Sequence, residues 1–210
     1  MALLPGVEGA FHTGAVFARV AGGGTFTSRS FALGGRLTRR DVYVTFAGPG
    51  AVATLEGVFV TTGSDLVDHH TTIDHAVPEC TSRESFKGVL AGKSRGVFNG
   101  AVVIRPGAQK SDARQHNHNL LLSDDATVNS KPELMIFADD VKCGHGATVG
   151  ELDPAALFYL RARGIGEAEA RALLTRAFVR EIVDHIDDGA LRADVDAFVA
   201  ARMQALGGAA

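Results

Sequence analysis

Cys143 and His145 are the residues of this 210-residue chain whose types and spacing most readily suggest chemistry. They lie in the stretch Ala138-Asp139-Asp140-Val141-Lys142-Cys143-Gly144-His145-Gly146-Ala147-Thr148-Val149-Gly150. In an extended segment the side chains at i and i+2 point to the same side, so thiol and imidazole can face one point in space. Glycines at 144 and 146 are expected to leave that point uncrowded. A thiolate beside an imidazole suits iron or zinc. Two ligands do not complete a site, and a single cysteine is more often a small buried hydrophobe. Residue chemistry leaves both readings open.

Two further groups of histidines invite the same question. Asp68-His69-His70-Thr71-Thr72-Ile73-Asp74-His75 could hold a metal, and His116-Asn117-His118 puts two imidazoles on one strand face. No glutamate follows the second group at the distance a cupin site requires. The competing reading is a polar ladder of His, Asn and Thr side chains bonded between strands. It is preferred, because no supporting carboxylate geometry is evident. Cys80 has no ligand pattern at short spacing and reads as structural.

Other catalytic patterns fail on inspection. Gly88-Val89-Leu90-Ala91-Gly92-Lys93-Ser94 has three residues between its glycines where a phosphate loop needs four. A strand-like Val97-Phe98 follows it, where a helix should begin. No Gly-x-Ser-x-Gly elbow is present. Asp124-Asp125 and Asp139-Asp140 are the acid pairs that a carbohydrate-active β-helix enzyme could use. Adjacent strand residues face opposite ways, so solvated turns are the expected role.

The elements that must position these residues divide the chain in two. Before residue 150 lie most of the 25 glycines, with many Val, Thr and Phe. Residues 1 to 12 read as a frayed start. After them, β-compatible runs recur every 8–12 residues or so, broken by turns such as Gly48-Pro49-Gly50 and Pro106-Gly107. About nine or ten short strands are expected, too closely spaced for crossover helices. Runs such as Val102-Val103-Ile104 suggest strands covered on both faces. No strict short repeat is visible, so sandwich, barrel and β-helix all remain.

Beyond 150 the chain turns to Ala, Leu, Arg and Glu. Asp153-Pro154 is a helix start that should run to Gly164. A second helix is expected from about Glu167 to Ile186, with Leu174, Phe178, Ile182 and Ile186 on one stripe. A third carries Leu191, Val195, Phe198, Val199 and Leu206. So small a bundle has little core of its own, and its apolar stripes must meet either the β part or a partner.

Composition bounds the function. A formal net charge of −3 gives no basic footprint, so nucleic acid is not expected as a main partner. Two cysteines make no disulfide framework, and neither a signal peptide nor a membrane-spanning run is evident. A cytoplasmic protein without membrane contact is expected.

Three stretches taken together resemble a known family. They are Val67 through His75, Phe86-Lys87-Gly88 through Phe98-Asn99-Gly100, and Asn119-Leu120-Leu121-Leu122-Ser123 through Lys131-Pro132-Glu133-Leu134 to Gly150. The chain resembles the SufB/SufD proteins of iron–sulfur cluster assembly over about Leu55 to Ile186, and the SufD type more than SufB. The resemblance implies a mainly β fold, a right-handed parallel β-helix over residues 1–150 followed by a small C-terminal α-helical domain over 151–210. It implies a non-catalytic scaffold that pairs with a SufB-type subunit through the β-helix and docks a SufC-type ATPase through the helices. A homodimer is possible in isolation. His145 matches the SufD ligand histidine and Cys143 a cysteine of the same motif. No stably bound cofactor is implied, only a transient iron–sulfur cluster or iron at the subunit interface. Cys80 stands where a histidine is expected, and the longer N-terminal region of SufD proteins is absent, so this sequence is expected to be a fragment. The alternative function is a carbohydrate-active β-helix enzyme, which needs acid pairs projecting from adjacent coils into an open groove.

Overall fold

The computed structural model describes residues 1–7 and 9–206. Eleven strands and three helices follow one another in chain order. The strands are β1 (Ala2–Leu4), β2 (Phe11–Val20), β3 (Thr25–Ala32), β4 (Leu37–Phe46), β5 (Val52–Thr61), β6 (Leu66–His75), β7 (Thr81–Leu90), β8 (Arg95–Ile104), β9 (Ser111–Leu121), β10 (Thr127–Ile136) and β11 (Val141–Gly150). The helices are α1 (Pro154–Ala162), α2 (Glu167–Asp184) and α3 (Gly189–Leu206).

Consecutive strands never pair. Odd-numbered strands form one sheet in the order β1-β3-β5-β7-β9-β11 (sheet A), and even-numbered strands form the other, β10-β8-β6-β4-β2 (sheet B). Every ladder is parallel. Parallel neighbours need a long crossover. Here that crossover is a strand of the opposite sheet, so the chain winds as a two-sheet β-solenoid, the β-helix that the resemblance implied.

Period-two patterning makes this possible. Along β6 every second residue is buried, and β8 repeats the pattern. The inward positions supply Phe46, Leu55, Ile73, Phe98, Val102 and Ile104, all with 1% exposure or less. Corners stack as well: Gly23 donates its N–H to the Pro49 carbonyl and Lys93 to that of Gly63. Gly63 and Gly92 both have positive φ, and a Cβ on Gly92 would lie 2.8 Å from the Gly63 nitrogen. Only glycine permits that closeness and that backbone. Gly88 to Ser94 is a strand end and a corner that leads into β8, as the failed phosphate-loop pattern implied.

Three expectations need correcting. The first residues are not frayed throughout, since Ala2–Leu4 pairs with Ser30–Ala32 and β2 begins at Phe11. Three residues are too few to show a period. The alternation of Val42, Val44 and Phe46 with Tyr43 and Thr45 suggests a strand from Val42, but β4 begins at Leu37, because Arg39 bonds Asp41 beside it and Asp68 on β6, which lets a charged stretch extend. Finally, the helical stripes are met only in part: Ile182 and Ile186 are buried as expected, but α2 also buries Thr175, Val179 and Val183, with Leu174 and Phe178 only half-buried. In α3, Val195, Val199 and Leu206 are buried, whereas Leu191 and Phe198 are exposed.

Helices α2 and α3 lie on the outer face of sheet A. Val179, Ile182, Val183, Ile186, Val195 and Val199 share one apolar cluster with Phe31, Leu33, Val58, Val60 and Val89. Polar clamps fix them there. Lys87, a residue only 7% exposed, donates from its ammonium to the Phe178 carbonyl and pairs with Glu181. His185 meets Glu56 at 2.6 Å, and Arg202 pairs with Asp65. Helix α1 differs, burying none of its residues.

Candidate functional site

Both sheets end together. Among the described residues strand β11 pairs only with β9 and β10 only with β8, so the solenoid closes on two ten-residue strands with a free edge each. Cys143 lies in register over Ala113, and His145 over Gln115. Ala113 and Gln115 are buried, so Cys143 and His145 point toward the solenoid interior, on one side as the spacing predicts. No further coil covers them. His145 is therefore exposed, and Cys143 half-buried against the main core.

The glycines do not clear that side. By the same alternation Gly144 and Gly146 face outward, in register with Arg114 and His116. A Cβ on Gly144 would stand 3.2 Å from Arg114 Nη1, and one on Gly146 3.4 Å from His116 Nδ1. The expectation placed them around the Cys–His point, but a period of two sends i+1 to the opposite face.

Burial pushes the Cys143 thiol above its ordinary value, opposed by a backbone hydrogen bond at Ala113. The sulfur thus keeps its proton at neutral pH and must lose it to act as a ligand. Beneath His145 runs a polar column. Gln115 Nε2 donates to Glu84 Oε2 at 2.6 Å, and Glu84, Gln115 and His145 occupy one line across β7, β9 and β11. Burial raises the Glu84 carboxyl to about 7. Gly100 makes room, since a side chain there would strike the Gln115 amide. Sequence reading missed Glu84 and Gln115. Their one signal was a polar residue in the inward phase of an apolar alternation.

The other histidines do not converge. His69 is buried beside Phe59 and Phe86, and desolvation lowers it to about 4. His75 lies 2.9 Å from Ser82 Oγ and 3.2 Å from Ser111 Oγ, also lowered to about 4 by burial. His70 faces the opposite way, toward Asp68. His118 Nδ1 bonds Thr148 Oγ1 at 2.8 Å, the inter-strand ladder that was preferred. Burial first, then His116 and Lys87, lower His118 from its ordinary value. Cys80 is fully buried, its Sγ 3.5 Å from the Gly48 carbonyl, in keeping with a structural role. Among the described residues no group of three or more His, Cys, Asp or Glu side chains is arranged to hold a metal ion.

The acid pairs lie outside the strands. Asp124-Asp125 and Asp139-Asp140 sit at corners. The strand-borne acids Asp41 and Asp68 are held by Arg39, Asp74 by Arg105, and Asp112 by Arg83. A cleft of about 670 Å³ between the end of β11 and α1 and α2 is lined by Leu122, Val149, Leu152, Leu157 and Arg171. Neither Cys143 nor His145 reaches it.

Comparison with known proteins is decisive here. The SUF system FeS cluster assembly SufBD core domain matches residues 7–178. The chain belongs to the SufBD family. It is 36% identical to the iron–sulfur cluster assembly protein SufD of Escherichia coli over 179 residues, which cover 85% of this chain and 42% of that protein. A SufBD family protein of Synechocystis is 38% identical over 154 residues, 73% of this chain and 34% of the relative. SufD of Bacillus subtilis is 34% identical over 139 residues, 66% and 32%. The chain thus spans less than half the length of these relatives. It is a SufD-like member of an iron–sulfur assembly family. No helix among the described residues is long and apolar enough to cross a membrane.

Proposed function

We propose that this SufD-like chain is a non-catalytic scaffold for building iron–sulfur clusters in the cytoplasm. It pairs with a SufB-type subunit through the open end of the solenoid and docks a SufC-type ATPase through its helices. The observation that carries this reading is the coincidence of two features at one end. The free edges of β10 and β11, with Met135, Ile136, Phe137 and Val149 exposed, adjoin the inward-facing Cys143 and His145. An exposed edge strand is a template for another chain. Two donors without a third suit a site completed across an interface, with the iron or nascent cluster as transient cargo rather than a resident cofactor. Since Cys143 carries its proton, His145 is the readier ligand.

For the ATPase, α1 is the favoured surface. It buries nothing and exposes Phe158 and Tyr159, at 74% and 56%. Deleting residues 151–210 would be a poor test, because it would uncover Val58, Val60 and Val89. The better experiment is anaerobic reconstitution with SufB-type and SufC-type partners, followed by absorbance of the assembled cluster. His145→Ala should abolish cluster formation while the complex still elutes intact, and Phe158→Asp should release the ATPase alone. A His145→Ala complex that assembles clusters at the wild-type rate would overturn the ligand assignment, and retention of the ATPase by Phe158→Asp would overturn the docking surface.

A further inference from the structure

We propose that Gln115, anchored by Glu84, is a positioning residue for His145: its amide oxygen accepts a hydrogen bond from one imidazole N–H and leaves the other ring nitrogen for iron. The inference rests on the ligand role proposed above for His145 and says what fixes that ring. Gln115 is fully buried, points inward from β9, and lies in register beneath His145. Its Nε2 is committed to the coil below. It donates to Glu84 Oε2 on β7 at 2.6 Å and lies against Gly100 on β8, where a Cβ would stand 2.4 Å from it. Its Oε1 is buried and has no hydrogen-bond partner among the described residues.

The three bonds at an amide carbon share a plane and diverge equally. With Cγ on the β9 side and Nε2 toward Glu84, Oε1 is left pointing inward and toward the open end, where His145 stands. A buried carbonyl without a donor costs stability, so the site favours an N–H there. Ligating histidines donate their second ring nitrogen to just such an oxygen, which sets tautomer and ring orientation. Glu84 keeps the amide from turning over. Burial, opposed by hydrogen bonds from Thr71 and Gln115, raises its carboxyl to about 7. At pH 8 the group is therefore ionised and can only accept, which holds the Gln115 N–H toward it.

The test is NMR of the histidine ring nitrogens in the full chain at pH 8, without metal or partner. The wild type should show one dominant His145 tautomer and a ring N–H protected from solvent exchange. Gln115→Leu should lose the protected N–H and mix the tautomers, and Glu84→Leu should do the same by freeing the amide. Glu84→Gln, which still offers Gln115 a carbonyl oxygen, should keep the wild-type signals and so separates loss of the anchor from local unfolding. In the reconstituted complex Gln115→Leu should slow cluster formation by about tenfold, the usual effect of losing an orienting partner. A wild-type ring N–H that exchanges freely, or His145 signals unchanged in both leucine variants, would overturn the inference even where His145→Ala abolishes assembly. Assembly by His145→Ala with the wild-type ring signals in place would instead overturn the ligand role and leave the hydrogen bond established.

Discussion

One line across sheet A passes through Val58, Lys87 and His118, outward-facing residues on β5, β7 and β9. At its first position the sheet is roofed by α2 and α3, and at its last it is only half-covered. The backbone is the same parallel ladder throughout. What changes is the outward side chain: Val58, Val60 and Val89 offer apolar area to the helices, whereas Arg114, His116 and His118 offer charge and imidazole. Lys87 stands at the border and is buried only because its ammonium finds a carbonyl and a carboxylate on α2. A sheet face becomes core or surface according to what its outward residues can satisfy.

The comparison can be tested hardest in the roof. Ile182→Ala removes a fully buried contact between α2 and the sheet and should cost about 3 kcal/mol, whereas His118→Ala on the half-covered stretch should cost less than about 1 kcal/mol. Denaturant midpoints measured with unchanged slopes decide it. Equal losses would mean that the roof contributes nothing special.

Inside the solenoid the contrast shows in pH. Glu84 holds its proton up to about 7 when folded, against 4.5 as the ordinary value, so the folded state binds more protons across that window. Stability from this group therefore falls as pH rises from about 4.5 to 7. His69 and His75, lowered to about 4, act the other way, with stability rising between about 4 and 6.5. Glu84→Gln should stabilise the chain by up to about 3 kcal/mol at pH 8 and leave it unchanged at pH 4, read from melting curves at the two pH values. A constant difference between those curves would remove the protonation account.

The mildest test compares glycines. Gly57→Ala would drive a methyl group into the Phe86 ring and should cost about 1–3 kcal/mol, while Gly146→Ala meets nothing closer than 3.4 Å and should be near neutral. Circular dichroism melts of the two variants suffice. A costly Gly146→Ala would show that the outer face of β11 is more confined than its bare surface suggests.

Much of this was legible in the residues themselves. Alternation along β6 and β8, proline and glycine at the corners, and Asp153-Pro154 before α1 are local signals, because strand period, turn geometry and helix capping are set within a few residues. The same locality put Cys143 and His145 on one side. The pairing of strands was not legible. Coils stack 26 residues apart between Phe11 and Leu37 but 32 apart between Arg95 and Thr127, so no fixed repeat shows. Backbone hydrogen bonds hold the stack, and every residue but proline supplies both partners. Only the folded chain could decide that Glu84 and Gln115 lie beneath His145, that Gly144 and Gly146 face away from it, and that α2 packs through Val179 rather than Leu174. Each depends on which coil lies next in space, and that is fixed by the packing of the whole solenoid rather than by any one segment.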